Sequence, residues 1–384
     1  MDITKKRIGI VGGGQLGKMM ILEAKRLGFY VAILDPNPEC CSHSIADVHI
    51  VSKFDDPEGY KALARISDVI TYEFEHVNTD ALEDIEKSGI PVYPSVAALR
   101  TIQDKLTQKR ALATAGIPVP RFAEVNSIAD IEKIAEDFGY PMMLKARTGG
   151  YDGKGNAKIT CSGCVKAAFV ELGSGDVPLM VEAFVPLEKE VSIVVTRPIG
   201  GGTIPAYTMG ENLHFESILD MTVVPADIPE AAAKEAEKVA AQVMQVFDGV
   251  GTFGIEMFVC TDGSILVNEV APRPHNSGHW TIEGARCNQF ENHIRAIVGL
   301  PLGDTSLLAP SVMVNLLGES AGEAVVEGLE QAYAEIPGLK VHIYGKKICK
   351  VKGKMGHFTV TAPTREEAIK RAQEAKKIIR VVGK

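Results

Sequence analysis

The order of apolar runs and turn signals predicts a chain of mixed α/β and α+β class. A small doubly wound parallel sheet comes first, a larger mixed unit follows, and a short β-rich part closes the chain. Three observations carry this prediction. Strand-like and helix-like runs alternate from Lys6 to Tyr72, as they do in βαβ units. A β-hairpin is written into Gly254 to Val270, where two apolar runs flank Asp262-Gly263. From about Ser311 the pattern changes to short alternating strands.

In order, Lys6 to Val11 reads as a buried strand, Lys18 to Leu27 as a helix and Tyr30 to Leu34 as a second strand. A strand near Val48 to Val51, a helix from Pro57 to Arg65 and a strand from Asp68 to Tyr72 continue the alternation. One helical run covers Ala97 to Gly116, and Ile117-Pro118-Val119-Pro120 is a rigid break that marks a domain boundary region. A helix over Ile128 to Phe138 follows, then strands over Met142 to Ala146, Leu179 to Val185 and Glu188 to Arg197. Ala231 to Phe247 is an amphipathic helix leading into the hairpin, and Ile282 to Val298 reads as one helix ended by Gly299-Leu300-Pro301. Strands are expected at Val312 to Leu317, Lys340 to Tyr344, Lys347 to Val351 and His357 to Val360. Thr364 and Glu367 then form a capping box before a basic helix that runs through Ile379.

Composition narrows the function. The chain has 384 residues, 46% hydrophobic and 23% charged, as in ordinary globular proteins with room for two or three domains. A net charge of −8 argues against a general nucleic-acid binder, and basic residues cluster only between Lys340 and Lys354. No apolar run is long enough to span a bilayer, and the first residues enter a strand without a signal-peptide pattern, which points to the cytoplasm. Seven cysteines without framework spacing read as reduced thiols, and the lone Cys161-x-x-Cys164 reads as incidental.

The chemistry-bearing residues gather around the hairpin. With Asp262 and Gly263 as the two turn residues, Thr261 faces Ser264, and counting outward sets Glu256 opposite Glu269. Directly opposed residues have Cβ atoms roughly 4.5–5.5 Å apart. No basic residue of the hairpin separates these like charges, so a divalent cation, magnesium by the hardness of the donors, makes sense of them. A one-residue slip of register would instead leave both as solvated positions. Beyond the hairpin, Arg273, His275, Asn276 and His279 form either an anion-handling strand end or a plain polar loop.

Two glycine loops add to this. Gly12, Gly14 and Gly17 satisfy G-x-G-x-x-G, with Asp35 where a ribose-binding acid of a dinucleotide site would lie; the loop suits any phosphate at a helix N-terminus. Glu73 and Glu75 end the last strand of that sheet, at the edge where such folds bind ligands, or stand there as exposed loop acids. The second loop packs four glycines into residues 149 to 155, between Lys145 and Asn156, and carries Lys154. Its backbone donors and cations suit a polyphosphate, although it is not the Walker pattern. Glu182 and Glu190 lie within strands, and His214 is a lone histidine on a short segment.

Taken together, Lys145, the GGYDGKGN flap, the EAFV run from Glu182, the opposed glutamates and NEVAPRPHNSGHWTIEGA resemble the ATP-grasp superfamily. Within it they resemble the N5-carboxyaminoimidazole ribonucleotide synthetase family, ATP-dependent carboxylating enzymes of bacterial and fungal purine synthesis. The resemblance runs from GGGQLG near the start to KMGH near the end. It implies an ATP-grasp fold with a doubly wound substrate-binding domain over 1–104, the grasp domain over 105–302 and a small β-rich domain over 303–384. It also implies ATP with magnesium, manganese as a substitute, aminoimidazole ribonucleotide and bicarbonate as small-molecule partners, no nucleic acid or membrane, and a homodimer.

Carried over position by position, the resemblance sets Lys105 and Lys145 on the nucleotide phosphates, under a flap of Gly150, Tyr151, Asp152, Gly153, Lys154, Gly155 and Asn156. Glu182, Ala183, Phe184 and Val185 would form the adenine edge, Glu190 would hold the ribose, His214 and Asn268 would line the pocket, and Glu256 and Glu269 would ligate magnesium. The Gly12 to Gly17 loop would face the ribonucleotide, with Glu73, Tyr151, Asp152, Arg273 and Lys354 around that substrate and the bicarbonate-derived group. The departing phosphate, Asp152 or His275 would take the amine proton. Two positions depart from the family. Ala271 stands where many grasp enzymes have a third metal ligand, an asparagine, and Lys352-Gly353-Lys354 stands where the family has Gly-Arg-Lys. Rival readings are a transformylase or biotin carboxylase of the same superfamily, a dehydrogenase using the first glycine loop, and a non-catalytic nucleotide module.

Overall fold

A computed structural model of the protein describes residues 3–150, 155–202 and 204–384. Tyr151, Asp152, Gly153 and Lys154 of the expected flap lie outside them. The chain opens with β1 (Arg7–Val11), α1 (Gln15–Arg26), β2 (Tyr30–Leu34), β3 (Val48–Ile50), α2 (Pro57–Arg65) and β4 (Val69–Tyr72). The strands form a parallel sheet in the order β3-β2-β1-β4. Strands covered on both faces need continuous apolar runs, which is why Ile8, Ile10, Val31, Ile33 and Ile70 are all fully buried. On one face α2, α3 (Thr79–Lys87) and α4 (Val96–Gln103) close a core around Leu63, Leu82 and Leu99. On the other, α1 packs with Phe290, Ile294 and Ile297 from much later in the chain.

The expected single helix over Ala97 to Gly116 is two, because Asp104 ends α4 and caps α5 (Lys105–Thr114). Its carboxylate accepts from the N–H groups of Leu106 and Thr107 at 2.9 and 3.0 Å. Next come β5 (Phe122–Val125), α6 (Ile128–Phe138), β6 (Met142–Ala146), β7 (Asn156–Ile159), α7 (Val165–Glu171) and β8 (Leu179–Ala183). They make an antiparallel sheet ordered β5-β8-β6-β7, with α6 and α7 packed over it. The strand expected to reach Val185 stops at Ala183.

The third sheet takes β9 (Leu187–Arg197), β10 (Gly210–Phe215), β11 (Ile218–Val224), β12 (Gly251–Cys260) and β13 (Ile265–Ala271), backed by α8 (Glu230–Phe247). The helix expected from Ile282 to Val298 is broken into α9 (Thr281–Gly284) and α10 (Gln289–Val298). Asn288 starts the second piece by accepting from Phe290 and Glu291 N–H. The remainder is β14 (Ser311–Leu317), β15 (Gly322–Glu327), α11 (Leu329–Glu335), β16 (Leu339–Ile343), β17 (Ile348–Cys349), β18 (Lys354–Thr361), α12 (Arg365–Ile378) and β19 (Arg380–Gly383). Here the expected Lys347 to Val351 strand shrinks to two residues. Strands β14, β18 and β16 continue the third sheet, where β11 pairs with β14 over four positions, Met221 to Val224 against Ser311 to Val314, while β17, β15 and β19 form a small sheet of their own. One eight-stranded sheet therefore runs β13-β12-β9-β10-β11-β14-β18-β16. Among the described residues, no helix is long and apolar enough to cross a membrane.

Candidate active site

The hairpin β12–β13 sets Glu256 opposite Glu269, as the count predicts, but by a different route. The turn is not the two residues Asp262-Gly263. Three residues lie between Cys260 and Ser264, whose N–H and C=O join at 2.9 Å, and Gly263 takes the positive φ (82°) that closes the loop. This offsets the register by one, so that Val259 faces Ile265. A bulge between Glu256 and Met257 on one side and Asn268 on the other restores it. The bulge also suspends the in–out alternation, so that neighbouring Asn268 and Glu269 both line the same cavity as Glu256.

The carboxylates do have basic neighbours, supplied from outside the hairpin. Lys105 Nζ, at the start of α5, lies 2.6 Å from Glu269 Oε1, and His275 Nε2 lies 3.5 Å from Glu256 Oε1. Burial, reinforced by Glu269, pushes the Glu256 carboxyl up. Burial acts the same way on Glu269 but is outweighed by Lys105, which holds it below the usual range. Burial together with the Arg273 and Lys354 charges lowers His275 to about 3, so its imidazole is neutral at physiological pH. Asn268 Nδ2 approaches Glu256 at 3.4 Å, while Asn268 Oδ1 is buried without a partner. Two carboxylates and an orphaned amide oxygen are the hard donors magnesium prefers. Among the described residues no cluster of three His, Cys, Asp or Glu side chains is arranged for a metal, so phosphate oxygens would have to complete the shell.

At one end of the cavity, β6 and β8 bring Lys145 and Glu182 together at 2.7 Å. Lys109 Nζ approaches the other oxygen of Glu182 at 3.1 Å and also donates to the Val267 carbonyl at 3.1 Å. Glu182, expected on the adenine edge, thus lines the cavity with its carboxylate turned to two lysines. Burial opposes its charge, yet the lysines hold it down at about 2. Lys109 was not foreseen; the available signal was its place one helical turn after Lys105. Ala183, Phe184, Val185, Gly150, Gly155 and Asn156 line the same end. Glu190 on β9 and His214 on β10 pair at 3.0 Å within it.

At the other end lies the first glycine loop. Its N–H donors are already occupied: Gly14 and Gly17 donate to the Glu73 carboxylate, the latter at 2.7 Å, and Gly13 donates to Asp35 at 2.8 Å. Asp35 is therefore a brace for the loop and not the free ribose acid of a dinucleotide site. A Cβ on Gly14 would come within 2.7 Å of the Glu73 carboxylate, so glycine here admits a carboxylate of the chain itself. Burial raises the Glu73 carboxyl against the pull of these backbone donors. Arg273 pairs with Glu75 at 2.8 Å, and Lys354 at the start of β18 completes this end. Asn276 and His279 also reach the cavity. Asn276 is tied to Asn315 at 3.0 Å, and the buried His279 ring packs 4.6 Å from His357.

The described residues that the resemblance sets on the nucleotide, the metal and the ribonucleotide, from Glu73 and Lys105 to Arg273 and Lys354, thus border one cavity of about 1430 Å³, with Gly12, Gly14, Gly17 and Asp35 set behind its wall. A molecule whose sheets set lysines, opposed glutamates and the flanking glycines Gly150 and Gly155 around a shared cleft is an ATP-dependent ligase of the ATP-grasp class. Three domain-family models match in register: the ribonucleotide synthetase preATP-grasp domain over residues 5–103, the ATP-grasp domain over 110–290, and the phosphoribosylaminoimidazole carboxylase C-terminal domain over 311–371. The chain belongs to the N5-carboxyaminoimidazole ribonucleotide synthase family. It is 39% identical over 362 residues to the Bacillus subtilis member, covering 94% of this chain and 93% of that one. The Thermotoga maritima synthetase structure superposes with a TM-score of 0.90 at 45% identity, over 99% of this chain and 100% of its own. An Aspergillus clavatus synthase, solved with ADP and 5-aminoimidazole ribonucleotide, gives 0.89 at 34% identity, over 98% and 99% of the two chains.

Proposed function

We propose that this protein carboxylates 5-aminoimidazole ribonucleotide with bicarbonate at the expense of ATP, giving N5-carboxyaminoimidazole ribonucleotide, ADP and phosphate in purine synthesis. The observation that carries this reading is the single large cavity with phosphate-type lysines at one end and the glycine-loop and Arg273 site at the other. Single-ligand pockets typically measure about 300–1,000 Å³, so this one has room for two nucleotide-sized substrates head to head.

A bicarbonate oxygen attacks the γ-phosphorus of ATP, the bond to the bridging oxygen breaks, and carboxyphosphate and ADP result. Lys145 and Lys105 neutralise charge on the phosphates, Glu190 with His214 orients the ribose, and Ala183 to Val185 border the adenine. Magnesium, or manganese in its place, would be held by Glu256 and Glu269 with the Asn268 amide oxygen and would add charge neutralisation on the same phosphates. The family resemblance gives residues 150–156 the part of a cover, and exclusion of water protects carboxyphosphate, which hydrolyses readily. Glu73, Arg273 and Lys354 place the ribonucleotide. Its exocyclic amine takes the carboxyl group, directly or as carbon dioxide, and phosphate leaves. The proton goes to that phosphate, to Asp152 or to His275; the low basicity of buried His275 makes the phosphate a better acceptor than the imidazole.

The reading includes domains at 1–104, 105–302 and 303–384, supported by the matched spans, and a cytoplasmic homodimer, supported by the family resemblance. The experiment is ADP release from ATP, magnesium and bicarbonate, with and without aminoimidazole ribonucleotide. Strong stimulation, with labelled bicarbonate entering an acid-labile product, is the expected result. Release indifferent to the ribonucleotide would move the acceptor to another class.

A further inference from the structure

The ligase chemistry leaves one sequence motif unused, Cys161-Ser162-Gly163-Cys164. Its spacing alone is uninformative, but the folded chain sets the two sulfurs against each other, with Sγ–Sγ 2.8 Å and Thr160 Oγ1 3.4 Å from Cys164 Sγ. The segment is a short 3-10 turn, Ser162–Cys164, that runs straight into α7. Cys161 is exposed and Cys164 is only partly covered. Of the other cysteines, Cys40, Cys260, Cys287 and Cys349 are buried, and Cys41 is partly covered. Burial pushes the Cys40 thiol up to about 11 and that of Cys287 up to about 12, and it also raises Cys41. Contacts from Cys161 and Thr160 lower the Cys164 thiol instead. Reactivity needs thiolate and access together, and the 161–164 pair combines them with a partner sulfur already in place.

We infer that Cys161 and Cys164 form a reversible dithiol–disulfide centre that exchanges with low-molecular-weight disulfides. The Cys164 thiolate attacks one sulfur of the small disulfide, whose S–S bond breaks to release a first thiolate that takes up a proton. Cys161, losing its proton to solvent, then attacks Cys164 Sγ and expels the second thiol. Two protein thiols are oxidised to one disulfide, and one small disulfide is reduced to two thiols. Neither cysteine borders the cavity, so serine variants keep turnover and turnover reports their folding.

The test equilibrates the full chain with reduced and oxidised glutathione at increasing oxidised fraction, quenches with acid, alkylates and maps peptides by mass spectrometry. The 161–164 peptide is expected to lose two hydrogens while the other five cysteines remain alkylated. Cys161→Ser is expected to trap a stable glutathione adduct on Cys164 that the unsubstituted chain does not accumulate. Alkylation of both cysteines across the whole range, or a persistent glutathione adduct in the unsubstituted chain, would overturn the proposal.

Discussion

Glu73 and Glu182 are both buried carboxylates at the ends of parallel or central strands, and both face the same cavity, yet they are held by opposite means. Glu182 sits between two ammonium groups and is driven to about 2. Glu73 is held by backbone N–H dipoles of the glycine loop, and burial leaves its carboxyl raised. Full charges outweigh desolvation where dipoles do not. The lysine end of the cavity is therefore locked in charge, whereas the glycine-loop end holds a carboxylate that a competing group can displace or a proton can neutralise.

Removing Glu182 is the strongest way to test that contrast. Glu182→Ala strands Lys109 and Lys145 in a buried site, and the loss of one partner of such a cluster costs roughly 3–5 kcal/mol. Thermal denaturation should show it, and pairing Glu182→Gln with Lys109→Met should recover most of the fall. Glu73→Ala leaves two N–H donors without their acceptor, a cost of about 1–3 kcal/mol. The KM for the ribonucleotide should rise more than that for ATP; equal costs for the two glutamates would dissolve the comparison. Lys145→Met should raise the ATP dissociation constant about tenfold, equivalent to roughly 1.4 kcal/mol. It should also lower stability, though by less than Glu182→Ala, because Lys109 still faces the buried Glu182; an unchanged dissociation constant by calorimetry would remove Lys145 from the phosphates.

Acid titration sharpens the contrast by sign. Glu182 is depressed on folding, so its contribution is complete above its unfolded value near 4.5 and is lost as pH falls toward about 2. Glu73 is raised on folding, so its contribution is present below the same unfolded value and declines as pH rises through its folded one. Glu182→Gln should therefore flatten the acid limb of stability, and Glu73→Gln should change the opposite side. Matching effects of the two variants on the same limb would contradict the assignment.

Much of this was legible in the sequence because it is local. The βα alternation, the Asp-Gly hairpin and helices such as Pro57–Arg65 and Ile128–Phe138 follow from periodicity and end signals alone. Where side-chain caps compete with helical pattern, as at Asp104 and Asn288, the reading ran two helices into one. The Glu256–Glu269 pairing came out right although its turn was wrong, because the longer loop and the bulge offset each other. Strands β15 and β19 escaped notice: half-exposed segments of a small sheet, paired far apart in sequence, leave little pattern. The pairings of the site residues, Lys109 with Glu182 and Glu75 with Arg273, are long-range contacts; spacing from Lys105 could mark Lys109 as a neighbour of the site but not its partner.

The pairing of β11 with β14 reaches beyond the site. Because the last part of the chain is hydrogen-bonded into the same sheet as the carboxylate hairpin, it serves as a cover for that sheet's flank. Cutting the chain before Ser311 would bare Met221 to Val224 as an unpaired, apolar margin, the kind of surface that recruits strands from other molecules. A shortened protein would then precipitate as intermolecular sheet before its weakened binding could be noticed, and its solubility would report the loss first.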